Sequence, residues 1–175
     1  MIMERALMSK RYSKSKTLHV ARWGIFSALS VVGSLIPFPS PVGTIAFDSF
    51  PGYFAALYFG VMDGAVIFAI GHLATSIVHG FPLGFWHFLI ALGMAVVGVV
   101  VGIVHKVISR VWGFIPATIA GITANTAMFP LAVPVMGWAG SLLLVPFLAV
   151  ASTLNGILAM FIFIAIRRRK ILVEG

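Results

Sequence analysis

The twelve Lys and Arg residues of this chain fall in three places and nowhere else. Arg5, Lys10, Arg11, Lys14, Lys16 and Arg22 lead the chain. Lys106 and Arg110 stand in its middle, and Arg167, Arg168, Arg169 and Lys170 close it. The stretches between are almost wholly apolar. With 61% hydrophobic and 9% charged residues, against roughly 25% charged in soluble domains, the chain is an integral membrane protein. Loops rich in Lys and Arg stay cytoplasmic. All three clusters should therefore face the cytoplasm, with an even number of spans between each pair. This placement also argues against nucleic acid as the partner of the +8 net charge. Anionic lipid suits basic tails better.

Parity then divides the chain. Residues 1–18 form a basic cytoplasmic tail, too hydrophilic for a cleaved signal peptide. Residues 19–166 form one membrane domain, and 167–175 a second basic tail. The first span runs from His19 to Ile36, with Arg22 snorkelling to the inner surface. Pro51 to Gly80 resembles one apolar run, but a single helix there would put one basic cluster outside. Two short spans, Pro51–Met62 and Ala65–His79, restore parity, with Asp63-Gly64 turning in the cytoplasm and Asp63 capping the third helix. Gly80–Gly84 is a short outer loop. Phe85–Val104 is the fourth span, His105–Trp112 the inner basic loop and Phe114–Val135 the fifth span, bent by Pro130 and Pro134. Met136–Gly140 turns outside, and Ser141–Ile166 is the sixth span. The expected fold is an all-α membrane protein with six transmembrane helices and both termini cytoplasmic.

Pro37 to Phe54 breaks the pattern. It holds four of the nine prolines and Asp48, one of four acidic residues. Proline stops a helix by removing a backbone donor and clashing with the preceding turn. Val42, Ile45, Ala46, Phe47 and Phe50 make the stretch too apolar for a loop lying in water. It reads as an ordered outer lid between helices 1 and 2, over the mouth of the bundle, or as a re-entrant connector that only packs; long ordered loops tend to be functional.

Several chemistries are excluded or poorly supplied. There is no cysteine, so no disulfide or thiolate nucleophile. No GxxxxGK[ST] phosphate loop and no HExxH appears. His72 and Ser76 stand one helical turn apart, a spacing that packs more often than it catalyses, so the chain reads as a non-enzyme. Polar residues in lipid are costly and usually face the bundle interior. On the outer half these are Asp48, Tyr53, His79, Trp86 and His87; deeper are His72, Asn125 and Asn155. Asn125 and Asn155 read either as ligand contacts or as interhelical hydrogen bonds. Asp48 reads as a ligand contact or a cap of the second helix. Trp86 reads as a stacking platform or an interfacial anchor, and His72 as a packed neutral histidine. With no Lys or Arg in the outer half, an anionic ligand lacks a cation. A neutral or weakly cationic aromatic ligand with hydroxyl groups fits better: its ring would stack on Trp86, Phe85 or Tyr53, and its hydroxyls would bond Asp48 and an asparagine. Phe47 joins this candidate set from the lid. On the first helix, Ala21, Gly24 and Ala28 recur at helical spacing, and small residues let a partner helix approach.

ARWGIFSALSVVGSLIP, then PVGTIAFDSFPGYFAALYFG, then DGAVIFAIGHLATS, resembles the S-component of an energy-coupling-factor vitamin transporter over most of the chain. The resemblance implies a six-helix substrate-capture subunit of the cell membrane whose first loop caps an outward-facing pocket. It implies a transmembrane coupling subunit and two ATPases as partners, docking through Ala21, Gly24 and Ala28, and toppling of the subunit to release ligand inside. Gly24 departs from the alanine usual in that small-xxx-small signature. GTIAFDSFPGYFAAL is most similar to the α-ribazole transporters of cobalamin salvage, whose ligand is an uncharged aromatic nucleoside. Riboflavin, a queuosine precursor and cobalamin are the other vitamin substrates. Ile2 stands where the nickel and cobalt members carry a metal-ligating histidine, which leaves His72, His79 and His87 a weak metal set; no metal or other cofactor is expected. A solitary facilitator and a ligand-free scaffold are the rival classes.

Overall fold

The protein is represented by a computed structural model that describes residues 2–41, 45–108 and 112–174, with side chains for 16–41, 45–108 and 112–167. Val42 of the lid, Arg110 of the basic loop and most tail side chains lie outside the described residues. The described chain is all-helical. It forms α1 (Ile2–Ser34), α2 (Phe50–Tyr58), α3 (Val61–Val78), α4 (Trp86–Val107), α5 (Phe114–Thr126), a 3-10 turn (Phe129–Ala132) and α6 (Val133–Glu174). Three stretches are long and apolar enough to cross a membrane: Val61–Val78, Trp86–Val107 and Phe114–Arg167.

The shortest helix is the centre of the molecule. Every residue of α2 from Pro51 to Leu57 is buried. Nine residues rise about 14 Å at 1.5 Å each, half of a hydrocarbon core of roughly 30 Å. This helix therefore does not cross a bilayer by itself. Pro51 sits in its first turn, where a missing N–H costs nothing.

The turn between α2 and α3 is not at Asp63-Gly64. The break falls at Phe59-Gly60, where Gly60 takes φ 108°, a conformation open to glycine and strained for other residues. Gly60, not Asp63, occupies the N-cap position, and α3 runs through Asp63-Gly64. Gly64 is needed inside the helix because α2 crosses there: a Cβ on Gly64 would lie 2.7 Å from the Ala56 Cα. Asp63 is 1% exposed and accepts from three side chains of α1: His19 Nδ1 at 2.7 Å, Trp23 Nε1 at 2.9 Å and Arg22 at 3.3 Å. Its place in the first turn of α3 also suits the positive end of the helix dipole. Arg22, expected to snorkel, is bound to this carboxylate and lies over the Phe59 ring, 4.4 Å from its centre.

A run of aromatic contacts leads on from there. Phe59 packs on Tyr58, Tyr58 on Phe163, and Phe163 on both His105 and Phe114. Arg22, the His105 end of α4 and the Phe163 end of α6 therefore gather at one end of the bundle.

At the opposite end the fifth and sixth helices differ from expectation. α5 stops at Thr126, and Pro130 sits at the start of a 3-10 turn that Phe129 opens, rather than bending a continuing helix. The expected Met136–Gly140 turn shrinks to one residue, Gly137 (φ 68°), after which α6 resumes. α3 and α4 meet closely at Gly98, where an added Cβ would stand 2.6 Å from the Ala65 nitrogen.

Candidate functional site

The loop from Leu35 to Ser49 folds back on itself. Phe38 donates its N–H to the Ile45 carbonyl at 2.8 Å, and Phe47 donates to the Ile36 carbonyl at 3.3 Å. Ile45, Ala46, Asp48 and Ser49 are buried. The 45–49 arm of this segment packs inward, whereas Leu35 and Ile36 on the other arm stay exposed.

One side chain pins it. Asn155 of α6, 1% exposed, accepts the N–H groups of Ser49 (3.1 Å) and Phe50 (2.7 Å) on its Oδ1. Its Nδ2 donates to the carbonyls of Ala46 and Ala151, each at 2.9 Å. An asparagine amide has two acceptor sites and two donor hydrogens, and all four are used. Ser49, the N-cap residue of α2, makes no side-chain cap bond. Asn155 supplies that cap from another helix, satisfying donors that a helix start leaves open. Asp48 does not cap α2: its carboxylate accepts from the Ser49 hydroxyl at 3.1 Å.

Beneath the loop lies a cavity with about 90 Å³ of space for the centres of water-sized groups, where one water needs roughly 10–15 Å³. It therefore takes a small molecule rather than one or two waters. Residues from α4 (His87, Ile90, Met94) and α6 (Leu144, Leu148, Ala151, Ser152, Asn155) line it at spacings of three and four, one face of each helix. The loop contributes Ile45, Ala46, Asp48 and Ser49. Asn125 of α5 and Met128, Phe129, Leu131 and Ala132 beyond it close the wall, and His72 and Leu83 complete it. Among the described residues, no Lys or Arg lines it.

Of the eight residues singled out from the sequence, the fold brings Asp48, His87, Asn125 and Asn155 around this cavity. The other four stand outside the lining. Tyr53 is fully buried and its hydroxyl pairs with Ser152 at 2.6 Å, so it holds a lining residue in place. His79 turns back onto the Thr75 carbonyl at 2.9 Å. Phe47 packs on Phe38 within the loop. Trp86 is 37% exposed and Phe85 82%, so both face away from the interior. The flat and polarisable surfaces that the cavity does offer are Phe129, His72, His87, Met94 and Met128. Ser49, Ser152 and His72 were missed as lining residues; Ser152 was legible only as a small polar residue three positions from Asn155.

Asp48 stands in the loop, outside the helices. Burial pushes its carboxyl up to about 7, against the Ser49 hydroxyl and nearby His79, which pull it down. His72 and His87 meet at 3.2 Å, but among the described residues no three His, Asp or Glu side chains gather to hold a metal.

The family described as ECF transporter, substrate-specific component, matches residues 18–167. The chain belongs to this family. As an S component it is a multi-pass protein of the cell membrane that binds a small substrate for transport and works with the ECF membrane and ATPase module. Its fold is similar to a solved S component of a bacterial ECF transporter, with a TM-score of 0.64 at 20% identity over 91% of this chain and 99% of that one. No curated protein gave a significant match. In this S component the loop and cavity occupy the end opposite the basic residues, and the outer face of α1 is open: a Cβ on Gly24 would meet nothing within 4 Å.

Proposed function

We propose that this S component captures α-ribazole, the dimethylbenzimidazole nucleoside of cobalamin salvage, in the cavity beneath the loop. The observation that carries this reading is the lining: it holds an acid, amides, hydroxyls and imidazoles, but no cation. An uncharged ring with sugar hydroxyls matches it. The ring would lie between the thioethers and Phe129, and the hydroxyls would reach Asp48, Asn125 and Ser152. A phosphorylated or carboxylate ligand would lack a partner charge, and the corrin ring of cobalamin is far larger than the cavity. In the membrane the chain would make six helical passes, α2 being a half-length one, with both termini at the cytoplasmic, basic end. Ala21, Gly24 and Ala28 would receive the transmembrane coupling subunit.

Calorimetric titration of the purified chain in detergent with α-ribazole, riboflavin and cobalamin tests the substrate. Tight binding of α-ribazole alone is expected. Preference for either of the others would replace the ligand while keeping the S-component role.

A further inference from the structure

His72 reads in the sequence as a packing histidine, yet it lines the cavity beside His87. We infer that these two histidines form a pair of fixed polarity that offers the ligand one donor, the Nδ1–H of His72. The site then selects ligands with an unprotonated acceptor, a carbonyl oxygen or a pyridine-type ring nitrogen. This rests on the cavity being the ligand site.

Hydrogen-bond polarity carries the inference. The Leu83 backbone N–H can only donate, and it reaches His87 Nε2 at 3.2 Å. That nitrogen must present a lone pair, so the proton of His87 sits on Nδ1. Nδ1 faces Ser76 Oγ at 2.9 Å and His72 Nε2 at 3.2 Å. The Ser76 hydrogen is committed to the His72 carbonyl at 2.8 Å, which leaves its oxygen as an acceptor. A proton on His72 Nε2 would set two N–H groups against each other at 3.2 Å, with only a long 3.4 Å contact to the Ser76 oxygen that His87 Nδ1 already engages at 2.9 Å. His72 Nε2 is therefore an acceptor as well, and its proton sits on Nδ1. That nitrogen bonds no described residue and is not among the fully buried atoms, so it stays open to a partner from the cavity that His72 lines. A ligand atom that accepts it completes the hydrogen bonding of the pair.

The fixed direction matters for specificity. A site that hydrogen-bonds one ligand atom discriminates strongly against an analogue lacking it. The free ring nitrogen of a benzimidazole nucleoside is such an acceptor; the C–H at the same place in an indole nucleoside is not.

The test uses the full chain labelled with ¹⁵N-histidine in lipid nanodiscs at neutral pH, with signals assigned by His72→Gln and His87→Gln. Long-range ¹H–¹⁵N spectra of the unliganded protein should show both rings neutral and protonated on Nδ1. Saturation with α-ribazole should shift the His72 Nδ1 proton downfield, and the matching dimethylindole riboside should bind about tenfold more weakly or worse. A proton on Nε2 of either ring, an imidazolium, or equal binding of the indole compound overturns the inference. Should α-ribazole not bind wild-type protein at all, the substrate proposal fails, and the tautomers of the two rings still decide the pair.

Discussion

The side-chain oxygen of Asn155, near the middle of α6, accepts the backbone N–H of Phe50 at 2.7 Å and so begins a helix to which it does not belong. The same amide holds Ala46 and Ser49, so the ordering of the loop and the start of α2 depend on one residue. Asn155→Leu would leave two N–H groups and two carbonyls short of a partner. Each such loss costs about 1–3 kcal/mol. We expect a marked fall in melting temperature in detergent and loss of ligand binding. Asn155→Asp keeps the acceptor and should lie between. A leucine variant that melts with the wild type would show that the loop is held elsewhere.

Asp63 is the counterpart at the basic end. Asp63→Ala strands Arg22, His19 and Trp23, but Arg22 and His19 are each about a third exposed, so water relieves part of the loss. A destabilisation of about 1–3 kcal/mol is expected, with Asp63→Asn milder because it still accepts from Trp23. Thermal unfolding of the three proteins side by side checks the order; equal melting of Asp63→Ala and wild type contradicts it.

Two glycines should behave in opposite ways. Gly98→Ala pushes a methyl group into the Ala65 backbone and should cost about 1–3 kcal/mol despite the better helix propensity of alanine. Gly24→Leu meets open space on the outer face of α1. It should fold and bind ligand as wild type but fail to co-purify with a coupling subunit. Retained co-purification would move the docking face off Gly24.

Asp48 predicts a pH dependence. Its folded-state pKa is raised from 3.8 to about 7 by burial. For an acid shifted upward, stability is full below the unfolded pKa and is lost as pH rises toward the folded one. The melting temperature of Asp48→Asn should therefore gain on wild type between about pH 4 and pH 7 and keep a constant lead above that. Parallel curves would mean that the carboxyl is already solvated. Asp48→Ala should weaken α-ribazole binding about tenfold or more, while Trp86→Ala, outside the cavity, should leave it nearly unchanged.

The sequence spoke plainly where charge and proline carry the signal. The apolar stretches between three basic clusters marked a membrane protein, and the Pro-rich Pro37–Phe54 segment marked a break between helices whose 45–49 arm packs inward. It spoke ambiguously at Asp63-Gly64, a strong turn signal overridden because α1 places three donors against the carboxylate. Facing was the least legible. These helices are apolar nearly all round, and one residue turns a side chain by about 100°, so His87 enters the cavity while adjacent Trp86 faces out. The role of Asn155 was unreadable because three of its four partners are backbone groups more than a hundred positions away.

The stretch from Met128 to Met136 lies between the end of α5 and the single bend at Gly137, and it supplies Met128, Phe129, Leu131 and Ala132 to the cavity wall. It is a cassette made of the 3-10 turn and the first residues of α6, which the bend at Gly137 sets apart from the rest of that helix. Side chains there can be exchanged for larger or smaller ones without moving α2, the Asn155 clamp or the Asp63 cluster, so a change of cargo and the preservation of the scaffold are separable problems in this architecture.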